Sequence, residues 1–396
     1  MKFFAALCLL LLAAVAPRAA EYTVTNVNDA GAGSLRQAIS NANVNPTDDS
    51  ISFDPTFFNQ PRTINLSSGE LIVVNNGVLR ILGTGANRLT VSANLLSRVI
   101  SVEPNAQLYL SGVTVTRGRV AGNFAAGGGV YNYGGRVTLD QVTVTRNEAE
   151  LGGGIANSSA MLTTTTLTLV NSIVSDNMAN SGGGGVYNYL STLSASNSLV
   201  SGNRTTGGDG GGINNVGTLL LTTSAVINNT AANNGGGISN DFTRLTVVNS
   251  TLSGNGAGSF GGGIYTDNFN LPTTLTCVIV TNNLAVSGGG VYSFAGLTQL
   301  GNTIIAANSA ANSNPPDIFK TANATLMTMG YNLIGDAAGD AGNTGSPIQY
   351  DVSDVLDTSP GLRPLGFYGG LTPTHALLPE SAAIRDRPVS AAITTR

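Results

Sequence analysis

With 396 residues the chain has room for one large domain or for two or three ordinary ones. Its 42% hydrophobic and 10% charged residues exclude a disordered polymer, which combines low hydrophobicity with high net charge. The formal net charge is −4, and removal of Lys2 and Arg18 with an N-terminal leader leaves 16 basic against 22 acidic side chains, or −6, which argues against a nucleic-acid partner. Fifty-one glycines and an abundance of Asn, Thr and Ser fill the polar share that charged residues hold in most soluble domains.

Residues 1–20 read as a secretory signal peptide: Lys2 is the positive start, Phe3 to Ala16 the apolar stretch, and Ala19 and Ala20 the small residues of a cleavage site. The apolar stretch is too short to span a bilayer, and no later segment is long and apolar enough to do so as a helix. The mature chain then keeps only Cys277, read as a small core residue, and forms no internal disulfide.

Residues 21–100 are expected to hold an N-terminal cap and the first irregular coils. In "GSLRQAISNAN", Ser34 and Gln37 form a capping-box pattern before a short helix whose Leu35, Ala38 and Ile39 would lie over the first coil. Short strand-like runs follow, "SISF", "RTINL", "ELIVV", "LRIL", "RLTVS" and "VISV".

Residues 101–315 carry a repeat. A glycine triplet runs into Val130, Ile155, Val186, Ile213, Ile238, Ile264 and Val291, at intervals of 25, 31, 27, 25, 26 and 27 residues. Two positions on stand Asn132, Asn157, Asn188, Asn215, Asn240, Thr266 and Ser293. A second column, Asn147, Asn177, Asn203, Asn229, Asn255, Asn283 and Asn308, closes a short apolar run, and three residues before each lies an aliphatic side chain, Val144 to Ile305. A third, Asn171, Asn197, Asn249 and Asn302, precedes the second by six residues.

Gly, Asn and Thr are poor helix formers and no 3.6-residue stripe is present, so the units read as short strands. The leucine-rich alternative lacks its L-x-x-L-x-L spacing. The expected fold is therefore all-β: a single-stranded right-handed parallel β-helix, a pectin-lyase-like solenoid with a short N-terminal capping helix. The β-branched column would be an apolar spine, the Asn columns ladders of stacked amides, and the triplets sites of positive φ. Residues 316–396 break the pattern with Pro, Gly and Asp and read as a C-terminal cap and frayed tail.

The units "NxAxxxGGGIxN" preceded by "[VIL]xxN" resemble the repeats of the polymorphic outer-membrane protein family, with an aliphatic residue in place of the Phe of FxxN. "TVTNVNDAGAGSLRQAISNAN" is similar to the CSLREA-type segment of bacterial β-helix surface proteins, and "YNLIGD…TPTHALLPESAAI" to the choice-of-anchor Q region that follows such helices. The resemblance implies a bacterial secreted or cell-surface protein, outer-membrane associated in the family. The ending "ESAAIR" in place of "GSPAID" departs from it, and no sorting anchor, barrel or cell-wall signal follows.

Candidate chemistry is sparse. Lys320 and His375, the one Lys and one His of the mature chain, fall in the expected cap, far from the repeat face, which argues against a serine triad. Arg117, Arg119, Arg146, Asp176 and Arg204 read as a solvated edge. Asp241 and Asp267 are the candidate catalytic acids: each stands three residues past the β-branched position of adjacent coils, so stacking sets them one coil apart. Tyr131, Tyr187, Tyr265 and Tyr292, one residue past that position, would face outward as a ligand-binding row. No cofactor or metal is implied.

The main expectation is a non-catalytic scaffold, adhesin-like, with a carbohydrate or a host or extracellular protein as partner. The alternative is a polysaccharide lyase or glycoside hydrolase acting through Asp241 and Asp267. An ice- or mineral-binding solenoid using Thr114/Thr116 and Thr143/Thr145 ranks last.

Overall fold

The structure, a computed structural model, describes residues 18–74, 77–160, 163–337, 346–356 and 359–385. Most of the expected signal peptide and the 386–396 end of the tail lie outside them. The described chain is a parallel β-solenoid of about 11 turns, as the repeat predicts. Three sheets run along it, a front sheet of 18 strands, a second of 12 and a short third of 7, and every strand pairing is parallel.

The equivalences read from the sequence are the register of the front sheet. Val130, Ile155, Val186, Ile213, Ile238, Ile264 and Val291 pair in succession, and Ile318 extends the column. None is more than 1% exposed. The aliphatic column from Val115 through Val144, Val174, Val200, Val226, Leu252 and Val280 to Ile305 lines the second sheet in the same way. Two stacked apolar columns facing one another make one continuous core.

Both inward Asn columns are ladders. Asn132 donates to Asn157, Asn157 to Asn188 and Asn188 to Asn215, each at 2.7 Å, and Asn215 passes the chain to Asn240. Where Thr266 replaces the next Asn, Asn240 reaches Asn268 instead, at 2.9 Å. The second ladder runs unbroken from Asn147 to Asn308, with each Nδ2 donating to the next Oδ1 at 2.9 to 3.0 Å, and ends on the Asp317 carboxylate at 2.8 Å. A side-chain amide both donates and accepts, so its copy one coil away satisfies both needs.

The glycine triplets divide their work in a way the sequence does not announce. In Gly152–Gly154 only Gly152 has positive φ, +61°. A Cβ on Gly153 would lie 2.2 Å from the Met178 carbonyl of the next coil, and one on Gly154 2.7 Å from the Gly185 carbonyl. The first glycine turns the chain and the other two let consecutive coils touch. The third Asn column is a corner, with φ of 49°, 49°, 47° and 52° at Asn171, Asn197, Asn249 and Asn302. Thr223 (48°) and Cys277 (55°) occupy the same corner in their coils. Cys277 is thus a half-buried corner residue, not the core residue expected.

Helix Leu35–Val44 caps the N-terminal end: Ser34 accepts from the Gln37 amide, and Leu35, Ala38, Ile39 and Ala42 are buried. The Gln37 side chain turns to Asn41, so only half of the capping box forms. At the other end strands Ile318–Lys320, Ala324–Thr328, Leu333–Ile334 and Val355–Leu356 continue the coils, so the boundary drawn at 315 falls inside the solenoid. Lys320 pairs with Ser293 in the first Asn column, is fully buried, and its Nζ has no hydrogen-bond partner. Residues 359–385 form a strap that doubles back over the second sheet, with Thr372 donating to Thr223 O (3.3 Å) and Thr374 on Thr251 (2.7 Å).

Candidate functional site

The outer surface of the front sheet is where the repeat becomes irregular. Asp241 and Asp267 are register partners on adjacent coils, the juxtaposition that the spacing predicts. Both are half-buried. Ser239, fully buried beside them, is positioned to donate to Asp241 Oδ2 at 3.2 Å.

A third acid joins them. Asp209 stands four residues before Ile213, and packing elsewhere in the molecule shows how this column meets the tyrosine column of the following coil. Phe260, also four before its β-branched residue, stacks on Tyr292 at 4.5 Å, and a Cβ on Gly182 would touch the Asn214 amide at 2.8 Å. By the same rule Asp209 lies against the Ser239 coil, and its charge acts on Asp241. Sequence reasoning missed Asp209, although extending the alignment four residues upstream of the β-branched column, where Asp209, Asn234 and Phe260 coincide, exposes it.

Electrostatics follow from this enclosure. Burial raises the Asp241 carboxyl, the negative charges of Asp209 and Asp267 raise it further, and the Ser239 hydroxyl opposes them, leaving it at about 6. Burial also raises Asp267, whose Oδ1 is enclosed without a hydrogen-bond partner. Asp209 is raised by burial against the opposing Asn234 amide, which donates to it at 2.8 Å. None of the three ion pairs among the described residues, Arg36–Asp29, Arg98–Glu70 and Arg119–Glu148, involves these acids. A carboxyl that keeps its proton up to about pH 6 can act as a general acid under mildly acidic conditions.

The tyrosine row splits in two. Tyr131 and Tyr187 are half-buried and stack on Tyr133 and Tyr189 of their own strands, at 5.6 Å and 6.0 Å between ring centres. Tyr265 and Tyr292 point away from the core as alternation requires, yet neighbouring rings cover them to 9% and 6% exposure: Tyr292 stacks between Tyr265 (5.7 Å) and Phe319 (5.1 Å). Burial and the charge of Asp241 push the Tyr187 phenol up to about 12, and Tyr265 is raised by burial and by Asp267 and Asp241. The coils between Tyr187 and Tyr265 carry only Asn214 and Ser239 in this row, which leaves a polar gap between rings with the acids at its edge.

Other expectations change. His375 is not remote from the coils: the strap brings its Nε2 to 2.9 Å from Ser253 Oγ on the second sheet, with Nδ1 on the Arg363 carbonyl at 2.8 Å. Both side chains are buried and the second ring nitrogen meets a backbone carbonyl rather than a carboxylate, so the pair fastens the strap. Of the basic edge, Arg119 pairs with Glu148 at 3.5 Å in the open, while Arg117, Arg146 and Asp176 are positive-φ corners. The Thr-x-Thr rows of an ice-binding face stop at the next coil, where Ile173 and Ser175 take the places of Thr143 and Thr145.

No protein-family model matches the chain, and no curated protein matches it in sequence. Among solved structures it is similar to the A-module of a mannuronan C-5 epimerase from Azotobacter vinelandii, at 15% identity and a TM-score of 0.48 over 85% of this chain and 99% of that one. It is also similar to a double mutant of a periplasmic alginate epimerase (10% identity, TM-score 0.45, 75% and 77% covered) and to a pectate lyase (12% identity, TM-score 0.41, 86% and 79% covered). These are named as polysaccharide epimerases and lyases rather than adhesins, and the expectation of a non-catalytic scaffold is corrected in favour of its alternative. The likeness is one of fold; any chemistry rests on the acids set between the ring pairs.

Proposed function

We propose that the chain cleaves a polysaccharide by general acid chemistry at Asp241, with Asp267 as the partnering carboxylate. One observation carries this reading: two half-buried acids are register partners on adjacent coils, and the one with two acidic neighbours holds its proton up to about pH 6. In that role Asp241 gives its proton to the glycosidic oxygen as the bond to the anomeric carbon breaks, and a carboxylate oxygen of Asp267 attacks that carbon. Water then hydrolyses the glycosyl ester, with Asp241, now ionised, accepting the proton. Backbone spacing of about 4.8 Å between register partners is nearer the separation of roughly 5 Å typical of such double-displacement pairs than the roughly 6.5–9.5 Å that admits a water between.

Hydrolysis fits better than β-elimination on a uronate. Among the described residues no basic side chain is ion-paired to the three acids, and their negative charge opposes an anionic sugar placed beside them. The leader-like residues 1–20 support action outside the cytoplasm. Among the described residues no helix is long and apolar enough to cross a membrane.

The test is depolymerisation of a panel of neutral and acidic polysaccharides, followed by new reducing ends and by the ultraviolet absorbance of unsaturated uronosyl products. The reading expects reducing ends without that absorbance, retained anomeric configuration by NMR, loss of at least a hundredfold in kcat for Asp241→Asn and Asp267→Asn, and a rate that falls as pH rises through about 6. Activity unchanged in both variants would defeat it.

A further inference from the structure

The column that holds the two acids also holds two exposed tyrosines of the front face. Tyr133 pairs with Ser158, Ser158 with Tyr189 and Tyr189 with Val216. Asp241 follows Asn240, the register partner of Asn215, just as Val216 follows Asn215, and Asp267 comes next. Six consecutive coils therefore present, in one line along the solenoid axis, Tyr133, Ser158, Tyr189, Val216, Asp241 and Asp267.

Tyr133 and Tyr189 stand two coils apart and are each 40% exposed. Each is steadied by a stacked partner ring on the same strand while keeping that exposure. Beside the line, Leu190 and Phe242 follow Tyr189 and Asp241 in sequence and project from positive-φ corners of 49° and 62°, with 63% and 62% of their surface exposed. An apolar side chain in that backbone region is uncommon and strained. Here it sets an apolar rail along the same line.

Resting on the proposed function, we infer that this line is the substrate track: a neutral, extended 1,4-linked glycan lies parallel to the axis with one sugar per coil, and Tyr133 and Tyr189 are its remote sugar platforms. The coil spacing of about 4.8 Å is close to the advance of one sugar along such a chain, so protein and polymer stay in step over several residues. A flat ring packs against the flat apolar face of a sugar, and in an extended 1,4-linked chain alternate sugars present the same face, which matches rings on alternate coils. Neutrality follows from the acids: a uronate chain would set a carboxylate beside Asp241, Asp267 and Asp209, to none of which a basic side chain is paired among the described residues.

Length dependence tests this. From Tyr189 to Asp267 the line spans four coils and from Tyr133 six. Full-length Asp241→Asn protein is titrated calorimetrically with neutral gluco-, manno- and xylo-oligosaccharides of two, four and six sugars, and with oligomannuronate and oligogalacturonate of six. For at least one neutral series, affinity should rise about tenfold at four sugars and again at six. Tyr189→Ala in that background should remove the gain at four, and Tyr133→Ala only the gain at six. Losses equal at every length, no binding by any hexamer, or tighter binding of the acidic hexamers would overturn the track. Stepped binding without cleavage by the wild-type chain would leave the track standing and sink the catalytic assignment. Cleavage with length-independent tyrosine effects would do the reverse.

Discussion

The interior of the solenoid and the outer face of its front sheet are built by the same operation, the stacking of like side chains one coil apart, with opposite electrical results. Inside, Asn203 receives from Asn177 and gives to Asn229, and no member of its column lacks a partner. Outside, Asp241 meets Asp267 and Asp209 and is driven to hold a proton. An amide is complementary to its own copy, whereas a carboxylate is complementary only to its protonated form. Repetition therefore stabilises the first column and stores reactivity in the second.

The comparison breaks most visibly in the ladder. Asn203→Leu removes the oxygen that both the backbone N–H and one side-chain N–H of Asn177 share in a dry core, while the Asn229 oxygen keeps the Asn203 backbone N–H. Two orphaned polar groups cost about 2–6 kcal/mol, and the loss should appear in chemical denaturation as a lowered midpoint. Hydrogen exchange should be fastest in the coils that contain Asn177 and Asn229 and least altered near Leu35–Val44, because coupling passes between neighbouring coils.

On the outer face the sign reverses. A carboxyl raised on folding contributes stability below its unfolded pKa and loses it as pH climbs through the folded value, so ionising Asp241 works against the native state between about pH 4 and about 6. Asp241→Asn should leave stability unchanged at pH 4 and raise it by up to about 3 kcal/mol at pH 8, even as it removes the proton donor. Thermal denaturation at the two pH values measures the difference. A variant less stable than wild type at pH 8 would show that the acid is anchored by contacts rather than strained by them.

Smaller still is the strap. His375→Ala deletes the bond to Ser253 and the bond to the Arg363 carbonyl, a cost of about 1–2 kcal/mol, and should release residues 359–385 to proteolysis before the coils unfold. The ladder coils, held by neighbours on both sides, should resist the same protease.

How much of this the sequence made legible depends on whether a residue repeats. Val130 and its successors, the Asn ladders and the Asp241–Asp267 pairing all follow from the 26-residue period, since parallel stacking turns sequence spacing directly into contact. Asp209 was missed because its contact with the Ser239 coil crosses from one column to another, which a column-by-column reading does not connect. His375 was misplaced for a related reason: the strap returns over 122 residues to Ser253, and no period records that fold-back. The burial of Tyr292 depends on Phe260 and Phe319, single departures in columns that are otherwise unlike them.

The corner column offers the finest test of why an Asn is present. Asn171, Asn197, Asn249 and Asn302 share the spacing regularity of the ladders, yet the feature common to them is positive φ rather than an amide chain. Asn tolerates that conformation better than any β-branched residue, whose Cβ substituents crowd the backbone there. Thr223, exposed and held at 48°, is the β-branched exception. Its carbonyl accepts from Thr372 through the backbone, so replacing the side chain leaves that bond in place. Thr223→Asn should therefore stabilise the chain by about 0.5–1 kcal/mol, read as a small rise in the denaturation midpoint with no change in slope. If the corner Asn residues were a third ladder, the gain would instead require Asn on both adjacent coils; since Asn197 and Asn249 already flank Thr223, Asn249→Ser combined with Thr223→Asn should lose the benefit only under that reading.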